Sequence, residues 1–279
     1  MVVENKATLT YVQLLKEDLA IFRLVPNDGA IPDYKPGQFL TIGLNVPSEG
    51  KVIRRAYSIA SHPENKKYIE LVIRWVRKPL PGRLTTQLFN AKEGDEISWI
   101  KPTGQFTIND TLPNGEKDMR RIVCLGGGTG LAPFVSVAQH MHDVGDKREL
   151  VVLHGASYVD ELSYKDLLTD LEMESLEKGK DKWNFKYRAS ISRPQEWFNR
   201  SWSGQVGRVE TFLRSKEGGL SPLEQLVGEK ITPQNTMFYI CGWQGTVDGC
   251  MDYLNAKGFV TERNKREDGS YEVKYESYG

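Results

Sequence analysis

The sequence has few cysteines, and those that it has do not form a metal-binding pattern. Its 279 residues include three cysteines, Cys124, Cys241 and Cys250, and none of them belongs to a CxxC pair. This spacing excludes a four-cysteine iron–sulfur cluster and a conventional zinc knuckle within the chain. A small, odd number of cysteines is typical of a reducing compartment, so we expect a cytoplasmic protein.

Excess charge and long apolar runs are also absent. The 37 basic residues balance 37 acidic ones, whereas a general nucleic-acid binder usually carries a strong basic excess. The longest uncharged run, residues 122–142, contains four glycines and a proline, so it predicts a strand, a loop and a helix rather than a membrane span. The first residues lack the basic and apolar segments of a secretory signal. We therefore expect neither a nucleic-acid nor a membrane partner.

The first 100 residues predict short β-strands separated by frequent turns. Strands at this spacing indicate a small antiparallel barrel or sandwich. A short capped helix is expected after Gly82, around Thr85. The predicted strands are 7–15, 20–25, 38–44, 54–59, 68–76 and 96–100.

A polar, turn-rich segment at residues 109–118 predicts a linker, after which strands alternate with helices. This alternation indicates a parallel sheet, and hence an α/β domain that follows the β domain. We place the two domains at residues 1–112 and 113–279. The predicted strands are 121–125, 149–154, 185–192, 237–241 and 271–275. One predicted helix starts near Phe134, and three others cover residues 162–171, 206–213 and 247–254.

Each predicted strand of the second domain ends in small or polar residues. In open α/β sheets ligands bind beyond the carboxyl ends of the strands, so these loops predict a shared site. The loop of Gly128, Thr129 and Gly130 offers bare amides before a helix, an arrangement that attracts phosphate. Its alternative is a tight turn without a ligand. The other loops contain Gly155-Ala-Ser157, Ser192-Arg193 and Cys241-Gly242.

Other candidate residues are individually weaker. Arg55-Ala56-Tyr57-Ser58 combines a guanidinium, an aromatic ring and a hydroxyl that can hold a flat, anionic cofactor, but it is also compatible with an ordinary strand end. Gly82-Arg83-Leu84-Thr85 offers a second anion site or simply a helix cap. Arg193 and Arg208 are further phosphate ligands or solvated surface charges.

Two candidates have stronger ordinary explanations. Cys241 has the alternative of a buried structural cysteine. His140 and His142 are two residues apart, do not share a helix face, and so lead us to predict no metal site.

The order of these motifs resembles that of the ferredoxin–NADP+ reductase family, and the similarity spans essentially the whole chain. Lys101-Pro-Thr-Gly-Gln-Phe and His154-Gly-Ala-Ser are similar to the bacterial ferredoxin/flavodoxin reductases in particular. The motifs, in order, are Arg55-x-Tyr57-Ser58, Gly82-x-x-Thr85, Lys101-Pro-Thr-Gly104, the glycine loop as far as Pro133, Cys241-Gly242 and a terminal aromatic residue.

The resemblance implies an FAD-binding antiparallel β-barrel, an NADP(H)-binding α/β domain and a carboxyl-terminal tail that returns to the flavin. It assigns FAD to Arg55, Ala56, Tyr57, Ser58, Gly82, Arg83, Leu84 and Thr85, with Tyr57 and Tyr278 stacked on the flavin and Ser58 near its N5 atom. It assigns NADP to Gly128, Thr129, Gly130, Ser192, Arg193, Arg208, Cys241 and Gly242, with both arginines on the 2′-phosphate. Ser58, Cys241, Glu276 and Tyr278 would be the catalytic residues.

Two positions depart from the family pattern. Ser157 stands where related bacterial reductases often have an arginine, which weakens the expected preference for NADPH. Gly279 follows Tyr278, whereas some relatives end on the aromatic residue.

The implied function is electron exchange between NADP(H) and ferredoxin or flavodoxin, by a monomer. The alternatives are the reductase component of an oxygenase, a free flavin reductase, and a flavin-binding regulator without turnover.

Overall fold

The computed structural model describes residues 5–215 and 218–278. The chain divides into two compact units. The first extends to Thr107 and includes residues 132–143, and the second comprises residues 108–131 and those from Val144 onward.

The first unit is built on a six-stranded antiparallel sheet. Its strands are β1 (Asn5–Lys16), β2 (Leu19–Pro26), β3 (Phe39–Val46), β4 (Lys51–Ser58), β5 (Ile69–Arg74) and β6 (Glu96–Thr103). Their order is β4-β3-β6-β1-β2-β5, and the two outer strands, β4 and β5, contact each other, so that the sheet curls into a barrel. Alternate residues such as Ala20, Phe22 and Leu24 of β2 point into the barrel core, as the two-residue period of a strand requires.

Two helices belong to this unit. Helix α1 (Arg83–Asn90) buries Leu84 and Leu88 in the barrel core. Helix α2 (Ala132–Asp143) is buried along most of its length, and the ring of Phe134 lies 5.9 Å from that of Phe106.

The second unit contains a six-stranded parallel sheet. Its strands are β7 (Arg121–Gly127), β8 (Leu150–Ala156), β9 (Phe185–Ile191), β10 (Gln205–Val206), β11 (Thr236–Gly242) and β12 (Val273–Ser277), in the order β10-β9-β8-β7-β11-β12. Its helices are α3 (Lys165–Lys178), α4 (Pro222–Val227) and α5 (Gln244–Ala256). Strands β8 and β11 are buried at every residue, as expected for a parallel sheet that is covered on both faces.

Three sequence predictions for this unit were wrong in detail. Residues 206–213 are not one helix: Gln205–Val206 is a short strand, Gly207 has a φ of 113°, and Val209–Leu213 is a 3-10 turn. The predicted helix 162–171 begins at Lys165 and continues to Lys178. Helix α4 was missed, although Ser221 and Glu224 form a capping box that marks its start.

Among residues 5–215 and 218–278, no helix is both long and apolar enough to cross a bilayer.

Candidate active site

One candidate site lies at the end of strand β4. Arg55 and Ala56 are exposed, while Tyr57 is half-buried and packs against the barrel core. The Arg55 guanidinium donates to the neighbouring Arg54 carbonyl at 2.7 Å. Burial raises the pKa of Tyr57 above its ordinary value, so its hydroxyl stays protonated at neutral pH. The strand end thus presents a guanidinium beside a fixed aromatic ring.

The amino terminus of helix α1 supplies a second set of groups. Gly82 is the N-cap residue, and its missing side chain leaves the first-turn amides of Arg83, Leu84 and Thr85 without a side-chain cap. A Cβ atom on Gly82 would lie 2.3 Å from the Thr85 hydroxyl oxygen, so a larger residue would force that side chain to move. Amides at a helix start are a favourable site for phosphate.

The structure brings these two parts of the first unit together. Helix α1 contacts both β3 and β4. Arg83, its first residue, donates through Nη1 to both carboxylate oxygens of Glu49 at 3.0 Å, just before β4 begins. Burial acts to raise the pKa of Glu49, but the hydrogen bonds and positive charges of Arg83 and Lys51 together hold it below its ordinary value. The flavin residues predicted on strand β4 and helix α1 therefore lie on neighbouring elements of the first unit.

A separate candidate site is the glycine loop that follows β7. Gly128 has a left-handed φ of 57°, and Gly128–Leu131 form a 3-10 turn. A Cβ atom on Gly130 would lie 2.2 Å from the carbonyl oxygen of Cys241, and one on Gly127 would lie 2.9 Å from the Thr246 hydroxyl. The loop therefore lies directly against Cys241-Gly242 and the start of helix α5, and only glycine allows that approach.

A buried histidine forms a hydrogen bond with the backbone of this loop. His154, at the end of β8, is completely buried, and its Nε2 atom lies 3.1 Å from the carbonyl oxygen of Gly128. Burial lowers the pKa of His154 to about 4, so the ring is neutral at pH 7 and donates its Nε2 proton to that carbonyl. The Nδ1 atom is buried and has no hydrogen-bond partner among the described residues.

Cys241 and Glu276 lie on neighbouring parallel strands. They are aligned in the register of β11 and β12, and Cys241 is fully buried. Burial raises the pKa of the Cys241 thiol well above its ordinary value, and Glu276 acts in the same direction. Cys241 is therefore a neutral thiol and not a nucleophilic thiolate.

Tyr278 contacts the glycine loop. Its hydroxyl donates to the Gly127 carbonyl at 2.9 Å and lies 3.3 Å from the Thr129 hydroxyl. Its amide donates to the Gly242 carbonyl at 3.1 Å, and its ring meets that of Trp243 edge to face. The last described residue is thus fixed by several contacts rather than frayed.

The two predicted phosphate-binding arginines both follow the carboxyl ends of strands. Ile191 of β9 and Val206 of β10 are aligned in register, and Arg193 and Arg208 each lie two residues further along. Both are exposed, and the Nη1 atom of Arg193 donates to the Tyr158 hydroxyl at 2.7 Å. The structure therefore places both guanidinium groups at the edge of the sheet where the glycine loop also lies.

The sequence analysis missed a residue that joins two of these loops. Asn199 is buried, and its Nδ2 atom donates to the carbonyls of Ser157 at 2.9 Å and Arg193 at 2.8 Å. Its Oδ1 atom accepts from the Val159 amide at 2.9 Å. The contacts of His154 and Thr246 with the glycine loop were also missed, although His154 belongs to a motif quoted above. No local pattern reveals these contacts, because the partners are distant in sequence.

Comparison with known proteins assigns the chain to a family. Residues 6–108 match the family model described as the oxidoreductase FAD-binding domain, and residues 124–251 match the oxidoreductase NAD-binding domain. A ferredoxin–NADP reductase of Azotobacter vinelandii is 32% identical over 85% of this chain and 84% of its own length. The chain belongs to the ferredoxin–NADP reductase family.

Two further relatives bear on fold and function. The reductase component of propane 2-monooxygenase from Mycolicibacterium goodii is 30% identical over 86% of this chain, which spans only 60% of that relative. A crystal structure of a ferredoxin NADP+ reductase from Neisseria gonorrhoeae, with bound FAD and NADP, has the same fold. It covers 98% of both chains with a TM-score of 0.76 and 23% identity.

These findings confirm the predicted family, the antiparallel and parallel sheets of the two-domain fold, and the oxidoreductase class. They also confirm the predicted kinds of cofactor, FAD and a pyridine nucleotide.

Proposed function

We propose that this reductase exchanges electrons between NADP(H) and ferredoxin or flavodoxin by means of bound FAD. FAD supplies the chemistry that this exchange needs, since it accepts a hydride and releases electrons singly. The observation that carries the proposal is the close approach of the glycine loop to Cys241-Gly242, where a Cβ on Gly130 would overlap the Cys241 carbonyl. The experiment is anaerobic mixing with NADPH while the flavin absorbance is followed.

The barrel residues fit a dinucleotide that is flat at one end and doubly anionic in the middle. Arg55 and the first-turn amides of helix α1, which have no side-chain cap, would hold the pyrophosphate. Tyr57 would stack on the flavin, and Ser58 would hydrogen-bond near its N5 atom. Ala56 of the same strand end and Arg83, Leu84 and Thr85 of the turn would complete this site.

The sheet residues fit the pyridine nucleotide. Amides of Gly128, Thr129 and Gly130 would bind its pyrophosphate, with Ser192, Arg193 and Arg208 on the 2′-phosphate. The neutral thiol of Cys241 would contact the nicotinamide beside Gly242. Orientation is the main contribution of these residues, because hydride transfer requires near-attack contact between the two rings.

Glu276 and Tyr278 would complete the catalytic set. Glu276 is in register with Cys241, and the hydroxyl of Tyr278 donates a hydrogen bond to the Gly127 carbonyl. We propose that Tyr278 covers a face of the flavin and yields it to the nicotinamide.

We place the domain boundary at residues 112/113, between the segments that the two family models match. We further propose that the protein is cytoplasmic, in agreement with its three cysteines, which form no disulfide in the structure. We also propose that it is a monomer. Light scattering of the holoenzyme would test the oligomeric state.

The reductase component of an oxygenase is the second candidate, which the similarity to the propane 2-monooxygenase reductase favours. Reduced enzyme should be reoxidised rapidly by ferredoxin or flavodoxin if the first proposal is correct. Rapid reoxidation by an oxygenase and not by these carriers would favour the second. Rapid turnover with free flavin alone would indicate a flavin reductase, and no turnover with any acceptor would indicate a regulator.

A further inference from the structure

Three of the four histidines of the chain lie in one cluster in the first unit, outside the proposed cofactor sites. The cluster joins a turn after strand β4 to the end of helix α2. The Nε2 atom of His62 lies 3.0 Å from a carboxylate oxygen of Asp143. His140 lies 2.8 Å from Glu64 through Nδ1, and His142 lies 3.1 Å from Asp143.

The turn fixes two of these side chains in place. Pro63 separates His62 from Glu64, and the Asn65 amide donates to the His62 carbonyl at 3.0 Å, which closes a four-residue turn. Proline is favoured at the second position of such a turn because its φ is already fixed. His62 and Glu64 are therefore held on one short, constrained segment before any ligand binds.

The helix end places the third group. His140 and Asp143 are three residues apart in the last turn of α2, so they lie on the same side of the helix. A carboxylate at a helix carboxyl terminus is disfavoured by the helix dipole, and a cation beside it is favoured. Asp143 is therefore a position where a bound cation would be stabilised.

One donor atom from each of His62, Glu64 and Asp143 lies within 4.8 Å of the other two. Ligand atoms about 2.0–2.2 Å from a tetrahedral zinc ion lie about 3.3–3.6 Å apart, so the donor atoms would move inward by about 1 Å on binding. We propose that these three residues form a binding site for one divalent transition-metal ion, for which Zn²⁺ is the suitable probe.

The donor set suits this class of ion. One imidazole and two carboxylates are borderline and hard ligands, a combination that Zn²⁺ accepts, and water would complete the coordination. His140 is hydrogen-bonded to Glu64 and His142 to Asp143, so both would orient ligating carboxylates, as outer ligands commonly do. The site is accessible, since the side chains of Glu64 and Asp143 are 35% and 38% exposed.

The sequence prediction of no metal site considered only His140 and His142 and found that they do not share a face. The ligands supplied by the turn at residues 62–64 are about eighty positions away in sequence, so no spacing pattern reveals them. The bound ion would tie this turn, four to six residues after Ser58, to helix α2. Its role is therefore structural support of the barrel unit.

The test is calorimetric titration of Zn²⁺ into tag-free, EDTA-treated holoenzyme. We expect one ion per chain. His62→Ala and Asp143→Asn should each weaken binding by about 100-fold or more, and His140→Gln should weaken it by about 10-fold. Asp33→Asn is the matched control, because Asp33 is a nearby exposed carboxylate that bonds to Lys66 and not to the cluster.

A second readout is independent of activity. X-ray absorption at the zinc edge should show only nitrogen and oxygen neighbours at about 2.0–2.2 Å and no sulfur near about 2.3 Å. Zn²⁺ should also raise the unfolding temperature of the wild type but not that of Asp143→Asn. Wild-type binding no tighter than millimolar, equal affinity in Asp143→Asn, or a sulfur neighbour would each overturn the proposal.

Discussion

His154 gives the most quantitative prediction, because its role combines a hydrogen bond with a pH dependence. Replacing it with leucine removes the donor to the Gly128 carbonyl, which contributes about 0.5–1.5 kcal/mol to the fixed form of the glycine loop. We therefore expect His154→Leu to bind NADP(H) up to about 10-fold more weakly. FAD should stay bound, because Arg55 and the start of helix α1, which are proposed to hold its pyrophosphate, belong to the other unit.

The same residue makes stability depend on pH. The pKa of His154 is lowered to about 4 in the folded protein by burial, whereas an unfolded histidine titrates near about 6.5. The unfolded state therefore binds more protons below pH 6.5, and folding stability falls as the pH is lowered from about 6.5 toward about 4. Between pH 7.5 and 5.0 the loss amounts to about 2 kcal/mol from this group alone.

Urea unfolding at pH 7.5 and 5.0, with EDTA present, measures this difference. The wild type should lose the full amount, and His154→Leu should lose about 2 kcal/mol less. An equal loss in the two proteins would refute the claim that His154 is buried as a neutral ring.

Four further predictions concern the proposed cofactor sites. Arg55→Ala should release FAD during gel filtration, since a charge-assisted phosphate contact contributes about 1.5–3 kcal/mol, and full retention would remove Arg55 from the site. Arg193→Ala should weaken the binding of NADPH in inhibition or binding assays and leave the binding of NADH nearly unchanged, whereas Ser157→Arg should increase the preference for NADPH. Gly130→Ala should abolish flavin reduction by NADPH while FAD stays bound, because its Cβ would lie 2.2 Å from the Cys241 carbonyl oxygen; normal reduction rates would contradict this. Tyr278→Ser should tighten the binding of NADP+ and reduce the discrimination against NAD+, both measured by flavin difference spectra. Unchanged affinities would show that the ring does not compete with the nicotinamide.

The elements that the sequence predicted well are those with a strong local pattern. The apolar run before the glycine loop became β7, and Val247 and Leu254 became the buried side of helix α5. Period and turn residues are encoded within a few positions, so no tertiary information was needed. Residues 206–213 were misassigned because Gly207, with its positive φ, divides an apolar segment whose spacing alone resembles a helix.

The missing parts of the site depend on contacts between distant segments. The buried amide of Asn199 joins the carbonyls of Ser157 and Arg193, and the ring of His154 reaches back to Gly128. Each is a common residue type whose role depends on which loop the fold places beside it. The spacing of residues in the sequence does not predict which loops become neighbours.

The central claim is that this chain passes electrons from NADPH through bound FAD to a one-electron carrier protein. Anaerobic stopped-flow mixing of the holoenzyme with NADPH, followed by oxidised ferredoxin or flavodoxin, tests it most directly. The account predicts rapid bleaching of the flavin, slower bleaching with NADH, and reoxidation when the carrier is added. A flavin that neither nucleotide bleaches, or a reduced enzyme that neither carrier reoxidises, would contradict it.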